Sequence, residues 1–177
     1  MQVLEGDILL TRNAGGEARN TSPGYYNHSA IIGPLNWVIE AQGDPGFTVC
    51  VPIWYFFERY PEILVLRHKD SYIAKKTGND ARLFVGKGYS SYMSVRPLFL
   101  WKSTDNCVSL IKRIYNYSTG TTPNWIVPDH LKHTKWLQKI ALHKDYENYK
   151  PPKSYKLGMQ IVWSGKPAQH YYIPENN

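Results

Sequence analysis

Asn27-His28-Ser29-Ala30-Ile31-Ile32-Gly33-Pro34-Leu35-Asn36-Trp37-Val38-Ile39-Glu40-Ala41 reads as two short strands joined by a turn. Apolar, β-branched runs flank Gly33-Pro34-Leu35-Asn36, whose composition is that of a hairpin connection. The hairpin sets the strand from His28 to Ile32 against the strand from Trp37 to Ala41, and so brings Glu40 near His28, twelve positions earlier. Alternation puts Glu40 on the face opposite Ile39. If that face is solvated, Glu40 is an ordinary surface charge; if it is the inner face, the carboxylate needs a partner, and His28 is the nearest candidate.

Working outward, Gly6-Asp7 leads into a strand from Ile8 to Thr11, and the Gly-, Asn- and Pro-rich stretch Asn13 to Gly24 reads as a long loop. Downstream, Phe47 to Val51 is a third strand of the same kind, Ile53 to Arg59 a short aromatic helix before Pro61, and Ile63 to Arg67 another strand. Together these predict an antiparallel meander. Ala81 to Tyr89 and Met93 to Trp101 each fit strand or helix. From Ser103 the pattern changes. Thr104, Asp105 and Asn106 are cap-type residues, and Cys107, Ile111 and Ile114 then recur at helical spacing, so Cys107 falls in the first turn of a helix. Pro128 suits the first position of a second helix, with Leu131, Leu137, Ile140 and Ala141 as its apolar side. After a Lys/Tyr/Pro-rich connector, Asp145 to Lys156, the segments Met159 to Trp163 and Gln169 to Ile173 predict a closing hairpin.

The 177 residues, 42% hydrophobic and 20% charged, are the size of one α+β domain with a packed core, spanning 1 to 177 with a basic carboxy-terminal extension from about residue 123. Low-complexity, collagen-like and coiled-coil classes are excluded. No stretch is long and apolar enough to span a bilayer, and Glu5 and Asp7 interrupt the amino terminus where a signal peptide needs an apolar run, so the expectation is cytosolic synthesis with the later location unknown. The net charge of +7 favours anionic partners without choosing among nucleic acid, lipid and wall polymers. No nucleic-acid-binding motif is present. Two cysteines are too few for a disulfide framework or a cysteine zinc site.

One thiol can be chemical. The thiolate is the nucleophile, and a helix amino terminus favours the anion while its amides can hold an oxyanion. Imidazole is the usual base for a thiol, and a carboxylate can orient it. Cys107, His28 and Glu40 fill these three roles. The alternatives are a buried small hydrophobe for Cys107, a satisfied polar strand end for His28 and a solvated acid for Glu40. Cys50, between Val49 and Val51 with no cap before it, reads as core.

Gly6-Asp7-Ile8-Leu9-Leu10, Asn27-His28-Ser29-Ala30-Ile31-Ile32-Gly33 and Val38-Ile39-Glu40-Ala41 resemble the core of NlpC-type papain-like cysteine hydrolases. In that family the nucleophile usually precedes these strands. Here Asp105-Asn106-Cys107-Val108-Ser109-Leu110 follows them, which resembles the circularly permuted branch that includes YiiX-type proteins and lecithin retinol acyltransferase relatives. The resemblance runs from about Gly6 to Tyr115. It implies a papain-like antiparallel sheet packed on the helix of Cys107, with Cys107 as nucleophile, His28 as base, Glu40 as orienting acid, and no cofactor. Tyr25 and Tyr26, just before His28, are candidates to line the substrate site.

The implied reaction is cleavage of an amide or peptide bond through a thioester, with peptidoglycan peptide as the suggested substrate and a phage tail, virion or lysis context as a route to the wall. The alternatives are a lipid acyltransferase or thioesterase, and a noncatalytic virion or assembly module that keeps the fold. His130 and His133, with His143, can be drawn as a metal site, but no further ligand is spaced to join them, so the expectation is no metal. The lysines from Lys132 to Lys166, interleaved with Tyr146, Tyr149 and Tyr155, are either a solvated face or a surface for an anionic polymer.

Overall fold

The computed structural model describes residues 3–12, 25–43, 46–60, 62–89, 104–125 and 127–142. The expected loop at Asn13 to Gly24, the segment Met93 to Trp101, His143, the connector from Asp145 and the closing hairpin lie outside the described residues.

The apolar runs form β1 (Ile8–Thr11), β2 (His28–Ile32), β3 (Trp37–Gln42) and β4 (Phe47–Pro52). Each pairs antiparallel with the next, in registers such as Ile8 with Ile31, Ala30 with Glu40 and Glu40 with Val49. The turn between β2 and β3 is a short 3-10 segment, Pro34–Asn36, with Leu35 and Asn36 both in the left-handed region. Helix α1 (Ile53–Arg59) follows β4 directly and ends at Tyr60. The meander stops there. Strand β5 (Ile63–His68) pairs with β1 instead of β4, so α1 carries the chain across the sheet to its far edge.

Two segments that the sequence left unassigned take definite form. Ser71–Ala81 is a helix, α2, capped by the Asp70 carboxylate, which accepts from the amides of Tyr72 and Ile73. Its buried residues are Ala74, Thr77, Gly78 and Ala81, too small to write an apolar stripe in the sequence. Of the ambiguous stretch Ala81 to Tyr89, Arg82–Phe84 is a 3-10 turn and Gly88–Tyr89 is β6, which pairs with β4 and, in parallel, with β7 (Thr104–Asp105).

Helix α3 (Cys107–Thr119) begins at Cys107, and Gly120, left-handed at φ 72°, ends it. The second predicted helix is cut short. Only Pro128–Lys132 is helical, α4, and Leu137–Leu142 is β8, antiparallel to β5 with a bulge at Val65/Leu66. Leu, Gln and Lys favour helices in isolation, but the open edge of β5 offers a hydrogen-bond ladder, and pairing overrides propensity. The basic carboxy-terminal extension therefore gives the sheet one strand, Leu137–Leu142.

Among the described residues, eight strands run in the order β7-β6-β4-β3-β2-β1-β5-β8. Alternation gives the sheet two apolar faces. Leu9, Ala30, Ile32, Val38, Val49 and Val65 meet Phe56 and Tyr60 of the α1 region on one side. Ile8, Leu10, Ile31, Ile39 and Leu66 meet Val108, Leu110, Ile111 and Ile114 of α3 on the other. At about 25 cal/mol per Å² buried, these two faces are the main source of stability.

Candidate active site

The site lies where β2 begins. His28 is the first residue of that strand and shares the α1 face with Ala30; its ring is buried 5.6 Å from Tyr60 and 6.5 Å from Phe56, centre to centre. Glu40, on the neighbouring strand and the same face, is fully buried. It sits opposite Ala30, one step diagonal from His28, and its Oε2 lies 2.7 Å from His28 Nε2.

A buried carboxylate needs several donors. Glu40 has them: Gln42 Nε2 donates to Oε1 at 2.8 Å, Arg59 forms an ion pair with the same oxygen, and the Tyr60 hydroxyl lies 3.5 Å from Oε2. Burial opposes its ionisation, but His28 and Arg59 outweigh that and hold the carboxyl below its ordinary value.

Cys107 arrives from the other layer. Asn106 caps α3: its side-chain oxygen accepts from Val108 N at 3.1 Å and Ser109 N at 2.8 Å, while Ser109 Oγ accepts from Asn106 N at 2.7 Å. This reciprocal capping fixes Cys107 as the first helical residue, at the positive end of the dipole. The cap engages the amides of Val108 and Ser109 and not that of Cys107.

The Cys107 sulfur lies against the His28 ring and Ser29, both of which favour its charged form. With Nε2 committed to Glu40, Nδ1 is the ring atom left for sulfur. Burial disfavours the His28 cation, but Cys107 and Glu40 outweigh it and raise the imidazole from 6.5 to about 9. Burial likewise disfavours the thiolate, and His28 and Ser29 outweigh it, so the thiol is held below its ordinary value. Each shift favours the charged form of its group, a thiolate beside an imidazolium, and Cys107 stays partly exposed. Such a thiolate can attack an electrophilic carbon and the imidazolium can release its proton to a leaving group.

Cys50 behaves differently. In β4, with no imidazole beside it, burial alone pushes its thiol up to about 12, which leaves it protonated and inert.

Tyr25 and Tyr26 stack edge to face. Tyr25 donates its hydroxyl to Glu62, and both tyrosine amides donate to the Asp129 carboxylate. With Leu64, Lys132, His133, Lys139 and Ile140 they line a cleft of about 610 Å³ whose walls include none of Cys107, His28 and Glu40. Among the described residues, no group of three or more His, Cys, Asp or Glu side chains is placed to hold a metal ion. No helix there is long and apolar enough to cross a membrane.

Sequence reasoning missed Arg59, Tyr60 and Gln42. Gln42 was legible, since it shares Glu40's side of the strand at two residues' distance. Arg59 and Tyr60 were not, because only the packing of α1 on β3 brings them to the carboxylate.

The fold and site define a mixed α+β protein in which an antiparallel sheet carries a buried His–Glu pair and receives a cysteine from a helix start. The structure is similar to that of the metalloprotein YiiX from Escherichia coli O157:H7, with a TM-score of 0.63 and 14% identity over 80% of this chain and 98% of that one. At that identity the likeness is one of fold. No protein-family profile and no curated protein sequence matches the chain.

Proposed function

We propose that this protein is a cysteine hydrolase of the circularly permuted NlpC-type, papain-like class, cleaving an amide or peptide bond through a thioester. The observation that carries the reading is the contact of His28 with the Cys107 sulfur on one side and the Glu40 carboxylate on the other. The YiiX-like fold supports it, because nucleophile, base and acid occur here in the chain order His28, Glu40, Cys107.

In the first step Cys107 Sγ attacks the carbonyl carbon, and the Cys107 amide, which the cap does not engage, serves as a donor for the oxyanion. The carbon–nitrogen bond breaks, and the amine leaves with the proton of the His28 imidazolium. Neutral His28 then takes a proton from water, whose oxygen attacks the thioester; the acid departs and the thiolate and imidazolium are restored. Glu40, held by Arg59 and Gln42, keeps the ring in place throughout. Peptidoglycan peptide is the substrate class we propose, in a phage or bacterial lysis setting.

Iodoacetamide tests the nucleophile. Cys107 should label well below pH 8, and His28→Ala should lose that low-pH reactivity and about 10²-fold or more in hydrolysis. Equal labelling of wild type and variant would refute the assignment. Mass analysis of digested peptidoglycan tests the substrate.

A further inference from the structure

Ser29 follows His28 in the chain and faces the other layer. Alternation turns His28 and Ala30 toward α1, so Ser29 joins Ile31 on the face against which Val108, Ile111 and Cys107 pack. Ser29 is fully buried, and its hydroxyl oxygen forms no complete hydrogen bond. A buried hydroxyl without an acceptor is destabilising, and this one is followed along β2 by Ala30, Ile31 and Ile32. The nearby acceptor is sulfur. The amide and the hydroxyl of Ser29 are both placed to favour charge on the Cys107 sulfur. A neutral thiol is a weak acceptor, whereas a thiolate is a strong one, so the missing bond forms when the sulfur ionises.

We propose that the Ser29 hydroxyl and amide form a two-donor seat for the Cys107 thiolate, holding the charged sulfur against the start of β2 beside the His28 ring. Ser29 is thereby a positioning residue, acting through Cys107 and not on substrate. The assignment rests on Cys107 being the nucleophile.

Donors on a thiolate stabilise it and also temper its nucleophilicity, which gives a signature that packing alone would not produce. The test is the pH dependence of iodoacetamide labelling of Cys107 in the full chain, with fold checked by circular dichroism. Ser29→Ala should move the labelling midpoint up by about one unit, a roughly tenfold loss of rate at the low-pH end. At high pH its rate should equal or exceed that of wild type. Ser29→Thr and Ser29→Val, alike in shape, settle the matter if the alanine variant does not fold: threonine should label at lower pH than valine. Superimposable profiles for wild type and alanine, or for threonine and valine, would overturn the proposal. If wild-type Cys107 labels as an ordinary thiol and ignores His28→Ala, the nucleophile reading itself fails; if only the Ser29 comparisons are flat, that reading survives and the seat does not.

Discussion

Glu40 keeps its charge in the interior because His28, Gln42, Arg59 and Tyr60 converge on it. Two pH effects follow from this cluster. The acyl step proposed above needs an imidazolium, so the proposed hydrolysis should fall as pH rises through about 9, where His28 loses its proton, and on the acid side as the thiolate is protonated. Replacing Glu40 by Gln removes one of the groups that hold the cation. The alkaline limb should then move below 9 toward 6.5, and labelling of Cys107 near pH 7 should drop about tenfold for each unit lost, read from a pH–rate series. Stability follows the same groups with opposite signs. A raised histidine contributes fully below 6.5 and its contribution vanishes as pH rises through about 9; a lowered carboxyl contributes above 4.5 and its contribution vanishes as pH falls through the native value. Glu40→Gln leaves Arg59 and His28 without their counter-charge, so urea melts at pH 7 should show a loss of about 3–5 kcal/mol, shrinking on acidification.

At the scale of elements, α2 crosses the start of β1 at a contact with no room for a side chain. A Cβ on Gly78 would lie 2.4 Å from the Gly6 amide nitrogen, and one on Gly6, at φ +87°, would lie 1.8 Å from the Ala74 carbonyl oxygen. Gly78→Ala raises helix propensity by about 1 kcal/mol, yet it must push α2 off backbone atoms that cannot yield cheaply. The expected sign is destabilising, by about 1–3 kcal/mol in denaturant unfolding. This contact also explains why α2 was hard to read from sequence: a helix that packs through Ala74, Thr77, Gly78 and Ala81 shows no hydrophobic stripe, and its only plain signal was the cap at Asp70. Strands β1 to β4, by contrast, were legible because their apolar runs end at Gly, Pro and Asn punctuation. The start of α3 was legible because capping chemistry is local, confined to Asn106 and Ser109.

Over the whole molecule, one buried ion pair ties the beginning of the chain to its crossover strand. Asp7, fully buried, accepts from Arg67 Nε at 2.6 Å and Nη2 at 2.7 Å, and from the Leu4 amide at 2.8 Å. Asp7→Leu alone strands a guanidinium and Arg67→Met alone strands a carboxylate, each at a cost of about 3–5 kcal/mol; the double variant should cost less than the sum, which a double-mutant cycle in urea would measure. Additivity would show that the pair is not coupled. Chain order could not reveal this link, because β5 was expected to continue the meander and instead lies beside β1. The same long-range choice turned Leu137–Leu142 from an expected helix into the strand that covers β5. What the residues by themselves determined were the features set by neighbours in the chain: the strands on either side of Gly33-Pro34-Leu35-Asn36, the helix start at Cys107, and the face on which Glu40 lies. Tertiary structure alone decided which edge β5 takes, that Arg59 and Tyr60 complete the shell of Glu40, and that the sulfur meets the ring of His28. Periodicity and capping act over a few residues, whereas strand order and the meeting of two layers depend on which distant surfaces bury each other best.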